Sequence, residues 1–365
     1  MFNQKPERMV ASIVGARPNF IKLAPIHNAI HKIVNHQIIH TGQHYDFELS
    51  SIFFKEFNLP EPDYNLNIGS GPPCLQIGEM IKNLETLILE HKFDLILVYG
   101  DTNSTFAGAL AGIKTGVKVA HIEAGLRSFD RRMPEEVNRV LTDNISDYLF
   151  VPTQTALQNL KNENIYGKIY DTGDTSVEVI ESAKILAKES KILQKYNLEN
   201  KSYIVFTMHR WENTQLNESL SSVIRAFEML SDKIIIFPIH PRTKKILIDM
   251  NLYDKLSRCK NVRIMPPLGY IDFIQLIQNA DKIITDSGGI QKEAYLLSVP
   301  CITIRKNTEW IETAVEGWNM LTDTNTEQIV KYVREWNPIQ TQHKAIFGDG
   351  NTSLTIKKII SEIIN

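Results

Sequence analysis

The sequence predicts an α/β protein with two parallel-sheet domains. Short runs rich in Ile and Val alternate with segments of helical pattern along the chain. Strands that are apolar over their whole length are typical of parallel sheets covered by helices on both faces, and the helices supply the crossovers. The runs are VASIVG, QIIHTG, DLILVYG, VKVAHIEAG and YLFVPT in the first part, and YIVFTMH, IIIFPIH, VRIMPP, KIITDS and PCITIR in the second.

Chain length and one charged segment predict where the domains divide. At 365 residues the chain is too long for one ordinary core and suits two. A charged segment of helical pattern, from about Glu178 to Asn200, separates the two strand series and should contain the linker. We therefore expect a first domain over residues 1–172, a second over 173–345, and a helix within 346–365 that packs back on the first.

Composition excludes several classes of partner. Lys and Arg total 40 against 42 Asp and Glu, a balance that argues against binding to nucleic acid or to an anionic membrane. No apolar run approaches the roughly 20 residues that span a bilayer, and the first residues lack a signal-peptide pattern. Three separated cysteines without metal-ligand spacing argue against disulfides and zinc. We expect a cytoplasmic protein without a metal site.

Polar motifs follow the predicted strands at their carboxyl ends. In open parallel sheets, ligands lie in the crevice beyond these ends. Two such sheets with facing crevices would bind one ligand between the domains. The motifs are GARPNFIK, TGQHYD, GDTNST and EAGLR in the first half, and HRWEN, HPRT and DSGGIQKEA in the second.

The DSGGIQKEA motif indicates that the ligand carries phosphate. Ser287, Gly288 and Gly289 form a small-residue turn between a strand and a helix, where backbone amides and the helix dipole favour an anion. The alternative is a helix start that needs glycine only for a tight turn. Further cationic or donor groups follow the predicted strands, and together they favour a diphosphate over a single phosphate. Each of them alone would suit a solvated surface position. They are Arg17, Lys22, His240 and Arg242.

Two common nucleotide motifs are missing from the sequence. The segment after the first strand reads GARPNF and has no G-x-G-x-x-G, and no G-x-x-x-x-G-K-[ST] loop occurs. These absences disfavour a bound dinucleotide and phosphoryl transfer from ATP. A nucleotide bound as substrate remains, and we expect no cofactor.

The segment HIEAGLRSFDRRMPEEVNR concentrates charge where two buried elements meet. Glu123 follows a strand end, and Pro134 predicts a helix whose first turn holds Glu135 and Glu136. With Asp101 of GDTNST, Glu123 and Glu135 would form a cluster of carboxylates, which repel unless cations or shared protons stabilise them. Such groups suit general acid and base catalysis. Glu136 we assign instead to complementing the helix dipole. Candidate cations are Arg127, Arg131, Arg132 and Arg139.

These motifs resemble those of the non-hydrolysing UDP-N-acetylglucosamine 2-epimerases, a family of nucleotide-sugar isomerases. The resemblance runs in order through GARPNFIK, TGQHYD, GDTNST, HIEAGLR, MPEEVNR, TMHRWENT, PIHPRT, PLGYIDF and DSGGIQKEA, which covers nearly the whole chain. It implies two Rossmann-like domains of the glycosyltransferase B type with a UDP-sugar in the interdomain cleft. It also implies a homodimer.

The resemblance implies a mechanism as well. The hydrogen at C2 of the sugar is next to no carbonyl, so a base cannot simply remove it and return it. In the implied mechanism a carboxylate removes this proton while UDP leaves C1, which gives 2-acetamidoglucal and UDP. Proton return to the opposite face and re-addition of UDP invert C2. Two faces require two acid/base groups, and the departing diphosphate requires positive charge and donors.

Individual residues match the functional positions of the family. Asp101, Glu123 and Glu135 match its acid/base carboxylates, and His209 matches its essential histidine. Matches to its substrate-binding motifs are Arg17, Lys22, Arg139, His240, Arg242, Phe273, Ser287, Gly288, Gly289 and Glu293.

The resemblance gives some of these binding residues a specific contact. It implies that Arg17 and the turn from Ser287 to Gly289 contact the diphosphate, that Glu293 contacts the ribose, and that Phe273 lies beside uracil. Without the resemblance, a structural role would be the better interpretation of His209 and Phe273.

Departures from the family pattern leave a second substrate open. Many members have T-E-R-P-E where this chain has TEWIE at 308–312, and a glycine-asparagine pair is replaced by Gly173 and Asp174. These changes resemble members acting on UDP-2,3-diacetamido-2,3-dideoxyglucuronate, whose C6 carboxylate needs an extra cation such as Arg131 or Arg132. UDP-N-acetylglucosamine remains the first expectation. A glycosyltransferase with a UDP-sugar donor is the alternative of another class, and it would not require the carboxylate cluster.

Overall fold

The structure, a computed structural model, describes the chain over residues 8–43, 56–57, 59–339 and 344–364. The side chain of Arg17, which is predicted to contact the diphosphate, lies outside this described part.

The chain folds as two compact units, and its C-terminal segment belongs to the first. Unit 1 comprises Met1–Val179 and Ala345–Asn365, and unit 2 comprises Ile180–Lys344. The first division therefore falls after Val179, inside a helix, and not after residue 172. The two ends of unit 2 are continuous with unit 1, so the first unit is built from two separate stretches of the chain.

Unit 1 contains a parallel sheet with helices between its strands. The strands are β1 (Met9–Val14), β2 (Asn35–His40), β3 (Tyr64–Asn65), β4 (Leu95–Tyr99), β5 (Lys118–Ile122), β6 (Tyr148–Val151) and β7 (Lys168–Asp171). The helices are α1 (Arg17–Ile30), α2 (Pro73–His91), α3 (Asn103–Lys114), α4 (Pro134–Ile145), α5 (Gln154–Asn162) and α6 (Ser176–Ala187), the last of which continues into unit 2. The strand order is β3-β2-β1-β4-β5-β6-β7.

Unit 2 repeats this architecture. Its strands are β8 (Tyr203–Thr207), β9 (Ile234–Pro238), β10 (Val262–Met265), β11 (Lys282–Thr285), β12 (Cys301–Thr303) and β13 (Asn319–Leu321), in the order β10-β9-β8-β11-β12-β13. Its helices are α7 (Ile192–Lys195), α8 (Trp211–Thr214), α9 (Asn217–Met229), α10 (Pro241–Asp249), α11 (Tyr253–Ser257), α12 (Tyr270–Gln278), α13 (Gly288–Leu296), α14 (Ile311–Val315) and α15 (Thr326–Glu335). The final helix, α16 (Thr352–Ile364), contacts α1 of unit 1.

The apolar runs of the sequence are the strands of the sheets, as predicted. The central strand β4 shows why, since all five of its residues are buried between helices on both faces. The three strands that the sequence did not predict are β3, β7 and β13, which lie at sheet edges. Their residues are partly exposed, so they lack a continuous apolar run.

Each sheet has one point where the strand order reverses. In unit 1, β1 lies between β2 and β4, and in unit 2, β8 lies between β9 and β11. Connections from the two central strands leave toward opposite faces, which opens a crevice at their carboxyl ends. The loops after β1, β4, β8 and β11 therefore line the natural ligand position of each unit.

A chain of buried polar groups crosses the core of unit 1. The Ser12 hydroxyl lies 2.6 Å from the Tyr99 hydroxyl and 2.7 Å from His36 Nε2. The Nδ1 atoms of His36 and His27 are 2.9 Å apart, so one of the two must be unprotonated. Burial, with smaller contributions from His27 and His31, lowers the pKa of His36 to about 3.

The neutral state of His36 predicts that unit 1 loses stability in acid. Its pKa of about 3 in the folded chain is below the unfolded value of about 6.5, so the unfolded chain binds the extra proton between these values. Above pH of about 6.5, His36 is neutral in both states and does not lower the free energy of unfolding. Below this pH, the free energy of unfolding falls by up to about 1.4 kcal/mol per pH unit toward pH 3. The substitution His36→Asn should make the free energy of unfolding of unit 1 less dependent on pH. Urea unfolding at several pH values measures this dependence, with amide hydrogen exchange of β1 and β4 as the probe of unit 1. The exposed neighbour His31→Asn is the control, and equal slopes for His36→Asn and the wild type would contradict the prediction.

Candidate active site

Two of the predicted catalytic carboxylates follow adjacent strands of unit 1. Asp101 follows β4 and Glu123 follows β5, which are neighbours in the sheet. Glu135 lies in the first turn of α4. One turn later, Asn138 donates from Nδ2 to the Asp101 carbonyl at 3.0 Å. The fold thus brings Asp101, Glu123 and the helix that carries Glu135 to one edge of the sheet.

Each strand-end carboxylate is paired with a largely buried cation. Lys22 Nζ of α1 lies 3.0 Å from Glu123 Oε1, and the two side chains are 12% and 9% exposed. Arg139 of α4 donates to Asp101 Oδ2, and also to Glu136 Oε2 at 2.9 Å. Lys22 and Arg139 were predicted to bind the substrate, and the contacts described for them are with these carboxylates.

Two other predicted counter-ions, Arg127 and Arg132, contact different acids. Arg127 donates to Asp143 Oδ2 at 2.6 Å and forms two bonds to Glu163, so its prediction as a counter-ion of the catalytic carboxylates is wrong. It neutralises a buried carboxylate behind the site instead. Arg132 pairs with Asp130 at 2.7 Å and its side chain is exposed.

Glu136 has a structural role that goes beyond the helix dipole. Its Oε2 accepts from the Ser128 amide and hydroxyl, both at 2.9 Å, and its Oε1 accepts from the Phe129 amide at 2.9 Å. With only 2% of the residue exposed, Glu136 fixes the loop that leads into α4.

Asn19 joins the two central loops of unit 1, and the sequence analysis missed it. Its Oδ1 accepts from the Gly15 and Ala16 amides at 3.2 Å each, and its Nδ2 donates to the Tyr99 carbonyl at 2.8 Å. The sequence feature that could have identified Asn19 is its place as the third residue of a helix that follows a strand, because a polar side chain there can cap the helix start. This side-chain amide thus connects the loops after β1 and β4.

In unit 2, a buried aspartate orients the predicted catalytic histidine. His209 follows β8 and Asp286 follows β11, the strands that flank the crevice. Asp286 accepts from the amides of His209 and Arg210 at 3.1 and 2.9 Å and from Asn213 Nδ2 at 3.2 Å. It also lies 3.3 Å from His209 Nδ1.

The charge of Asp286 is stabilised where it is buried. Burial alone would raise the pKa of Asp286, but the contacts with His209, Arg210 and Asn213 bring it below its usual value. The His209 side chain is 46% exposed and has Nδ1 on the aspartate side. A histidine held in this way can donate to, or accept from, a ligand through Nε2.

The predicted anion turn lies at the start of α13. Ser287 is the N-cap residue, and Gly288 and Gly289 are the first two helical residues. A Cβ on Gly288 would lie 2.0 Å from Glu309 Oε1, whereas a Cβ on Gly289 would have only Ser287 Oγ, at 3.9 Å, within 4 Å. The internal packing therefore explains Gly288 without a ligand. It does not explain Gly289, which leaves open space beside the helix N-terminus.

The remaining predicted binding residues of unit 2 have mixed surroundings. Phe273 is 6% exposed and belongs to the apolar core behind the sheet. His240 is the N-cap of α10, and its Nδ1 accepts from the Arg242 amide at 3.2 Å. Arg242 is exposed, and Glu293 lies in α13 with 9% of the residue exposed. For Phe273 and His240 the structure supplies a structural role as well, and their ligand contacts stay predictions.

The described ranges contain neither a metal-binding cluster nor a membrane-spanning helix. Within them, no three His, Cys, Asp or Glu side chains are grouped so as to hold a metal ion. Among the described helices, none combines the length and apolar character required to cross a bilayer.

The two parallel sheets, each with one reversal of strand order and ionisable side chains at its carboxyl edge, define a two-domain α/β protein. The chain belongs to the UDP-N-acetylglucosamine 2-epimerase family, whose sequence profile matches residues 28–361. It has two Rossmann-like domains of the glycosyltransferase B type, as the resemblance implied.

Individual relatives are similar over nearly their whole length. A UDP-N-acetylglucosamine 2-epimerase homolog of Methanococcus maripaludis is 51% identical over 97% of this chain and 99% of its own. A UDP-2,3-diacetamido-2,3-dideoxy-D-glucuronate 2-epimerase of Pseudomonas aeruginosa is 38% identical over 97% and 99%. The crystal structure of Methanocaldococcus jannaschii UDP-GlcNAc 2-epimerase with UDP-GlcNAc and UDP matches with a TM-score of 0.92 at 45% identity, covering 97% of this chain and 99% of that one.

The contact between Gly288 and Glu309 predicts unequal effects of two neighbouring substitutions. Gly288→Ala should destabilise unit 2 by about 1–3 kcal/mol, because its methyl group displaces the Glu309 carboxylate. Gly289→Ala should leave stability unchanged or raise it by up to about 1 kcal/mol, since alanine favours helix and the space is open. All four tryptophans lie in unit 2, so urea unfolding followed by tryptophan fluorescence reports on this unit. Equal losses in the two variants would contradict the steric account.

Proposed function

We propose that this chain interconverts UDP-N-acetylglucosamine and UDP-N-acetylmannosamine by inverting C2 of the sugar. The observation that carries the proposal is the pair of strand-end carboxylates, Asp101 and Glu123, each held by a buried cation beside the helix of Glu135. Such an arrangement fixes acid/base groups where a parallel sheet places its ligand.

The proposed reaction breaks and remakes the bond between C1 and the UDP oxygen. A carboxylate takes the C2 proton, the electron pair forms the C1–C2 double bond, and UDP leaves with the electrons of the C1–O bond. The products of this half-reaction, 2-acetamidoglucal and UDP, stay bound. A second acid then protonates the other face of C2 as UDP adds back to C1, so atoms and electrons balance without a redox cofactor.

We assign these steps to Asp101, Glu123 and Glu135, which together supply the groups for the two faces. We also assign a catalytic role to His209, whose Nδ1 lies 3.3 Å from the buried Asp286. Support for diphosphate binding comes from the Ser287 cap, Gly288 and the open space at Gly289. The proposed substrate-binding set also includes Arg17, Lys22, Arg139, His240, Arg242, Phe273 and Glu293.

The second candidate substrate is UDP-2,3-diacetamido-2,3-dideoxyglucuronate. Support comes from the relative of that name at 38% identity and from the TEWIE segment. The relative that is named a homolog of the UDP-N-acetylglucosamine enzyme is 51% identical, which favours the simpler sugar. The proposal also includes a cytoplasmic homodimer, which follows from the family resemblance. The balanced charge supports the expectation that neither nucleic acid nor a membrane is a partner.

The proposal predicts both an activity and its loss. The wild-type chain with UDP-N-acetylglucosamine should produce the anomeric NMR signal of UDP-N-acetylmannosamine. Asp101→Asn, Glu123→Gln and Glu135→Gln should each lower turnover by about a hundredfold or more, since each removes an acid/base group. Glu181→Gln, an exposed substitution on α6, is the control and should retain turnover.

Three results would contradict this account. Wild-type turnover in all three carboxylate variants would show that the site is elsewhere. A wild-type chain that leaves UDP-N-acetylglucosamine unchanged but epimerises the diacetamido-glucuronate would assign the second substrate. If neither sugar is epimerised, while UDP is released only when a sugar acceptor is added, the chain is a glycosyltransferase.

A further inference from the structure

A single buried carboxylate connects the loops that carry the proposed acid/base groups of unit 1. Asp143, on the last turns of α4, is fully buried. Its Oδ1 accepts from His121 Nδ1 at 2.6 Å, and its Oδ2 accepts from the Gly125 amide at 3.1 Å and from Arg127 Nη1 at 2.6 Å. Both oxygens are thus used, by three donors from the segment that contains Glu123.

The contact to His121 extends to the loop of Asp101. His121 Nε2 donates to the Gly100 carbonyl at 2.7 Å, and Gly100 directly precedes Asp101. Asp143 is therefore connected to the Asp101 loop through the His121 ring and to the Glu123 turn through the Gly125 amide. It shares its helix with Glu135.

The backbone of these loops needs support from its surroundings. Gly100, Glu123 and Gly125 have φ angles of +64°, +70° and +84°, and for Glu123 this is a conformation that side-chain-bearing residues rarely adopt. At Gly125 a Cβ would lie 2.5 Å from the Ala156 carbonyl oxygen. A turn of this kind persists only when neighbouring contacts fix it. The Asp143 carboxylate supplies such contacts, because it binds His121 before Glu123 and Gly125 after it.

The charge of Asp143 is compensated inside the protein. Burial alone would raise the pKa of Asp143, but His121 and Arg127 hold it below its usual value. Arg127 is in turn paired with Glu163 through Nε and Nη2 at 2.7 and 2.6 Å. The carboxylate is therefore an acceptor only, and each of its contacts depends on that state.

We propose that Asp143 is a positioning residue for the reaction, because it sets the Asp101 loop through His121 and the Glu123 turn through the Gly125 amide. It touches neither carboxylate directly. This inference rests on the proposed epimerase function and adds a residue that acts through the catalytic groups. When the two carboxylates are correctly placed, the second proton transfer follows the first before the glycal leaves.

Asp143→Asn tests the proposal, because the amide has nearly the same shape but replaces one acceptor oxygen by a donor. One of the three donors must then face an NH₂ group. Misplacement of catalytic groups by about 1 Å can cost on the order of a hundredfold in rate, so we expect kcat to fall about 10- to 100-fold with KM little changed. The decisive readout is the amount of free 2-acetamidoglucal released per epimer formed, which should rise severalfold.

This ratio separates positioning from folding, because a smaller fraction of folded protein lowers both products equally. Glu163→Gln is the matched control: it alters the same charge network from its outer end, leaves every donor to Asp143 intact, and should keep the wild-type ratio. If Asp143→Asn does not fold, His121→Asn replaces it, since the shorter amide can reach Asp143 but not the Gly100 carbonyl. The same rise in glycal release is expected.

An unchanged ratio in the folded variant would overturn the proposal, whether or not kcat falls, and would leave the epimerase function standing. A wild-type chain that forms no epimer would contradict the proposed function itself and remove the basis of the Asp143 inference.

Discussion

Parallel strands deliver all their carboxyl ends to one edge of a sheet, and both units of this chain place their reactive groups at that edge. The loops after β4 and β5 carry Asp101 and Glu123, and the loops after β8 and β11 carry His209 and Asp286. The reversal of strand order next to these loops keeps the edge open for a ligand. The helices and the core serve to hold these loops in place.

Collecting acidic groups in a partly buried region is possible only with close compensation of charge. Asp101 has Arg139, Glu123 has Lys22, and Asp286 has backbone amides and His209. Each compensating group comes from a neighbouring helix or loop, so a local sequence pattern cannot reveal which cation serves which acid. The pairs also hold these side chains in defined positions, and such fixed charges are what electrostatic preorganisation for catalysis requires.

The sequence predicted the features that depend on local pattern. Apolar runs located the strands covered on both faces, Pro134 located the start of α4, and the DSGG motif located the turn before α13. Edge strands such as β7 were missed because their partial exposure breaks the apolar run. The first division between the units lies after Val179, inside a continuous helix and within the charged segment from about Glu178 to Asn200.

The supporting residues could not be predicted, because their partners are distant in sequence. Asn19 bonds the Tyr99 carbonyl and Asp143 bonds His121, contacts that only the tertiary fold creates. Arg127 was assigned to the catalytic carboxylates because it is close to them in sequence, yet its side chain turns to the buried side and pairs with Asp143. Short motifs thus located the strand-end acidic residues, but they did not reveal the residues that contact the loops around them.

The central claim is that C2 is inverted by two acid/base groups that exchange protons with water. The most direct test is an NMR time course of the wild-type chain with UDP-N-acetylglucosamine in deuterated water, observing the C2 proton of the epimer as it forms. The account predicts UDP-N-acetylmannosamine that carries deuterium at C2. An epimer that retains the original C2 hydrogen would contradict it.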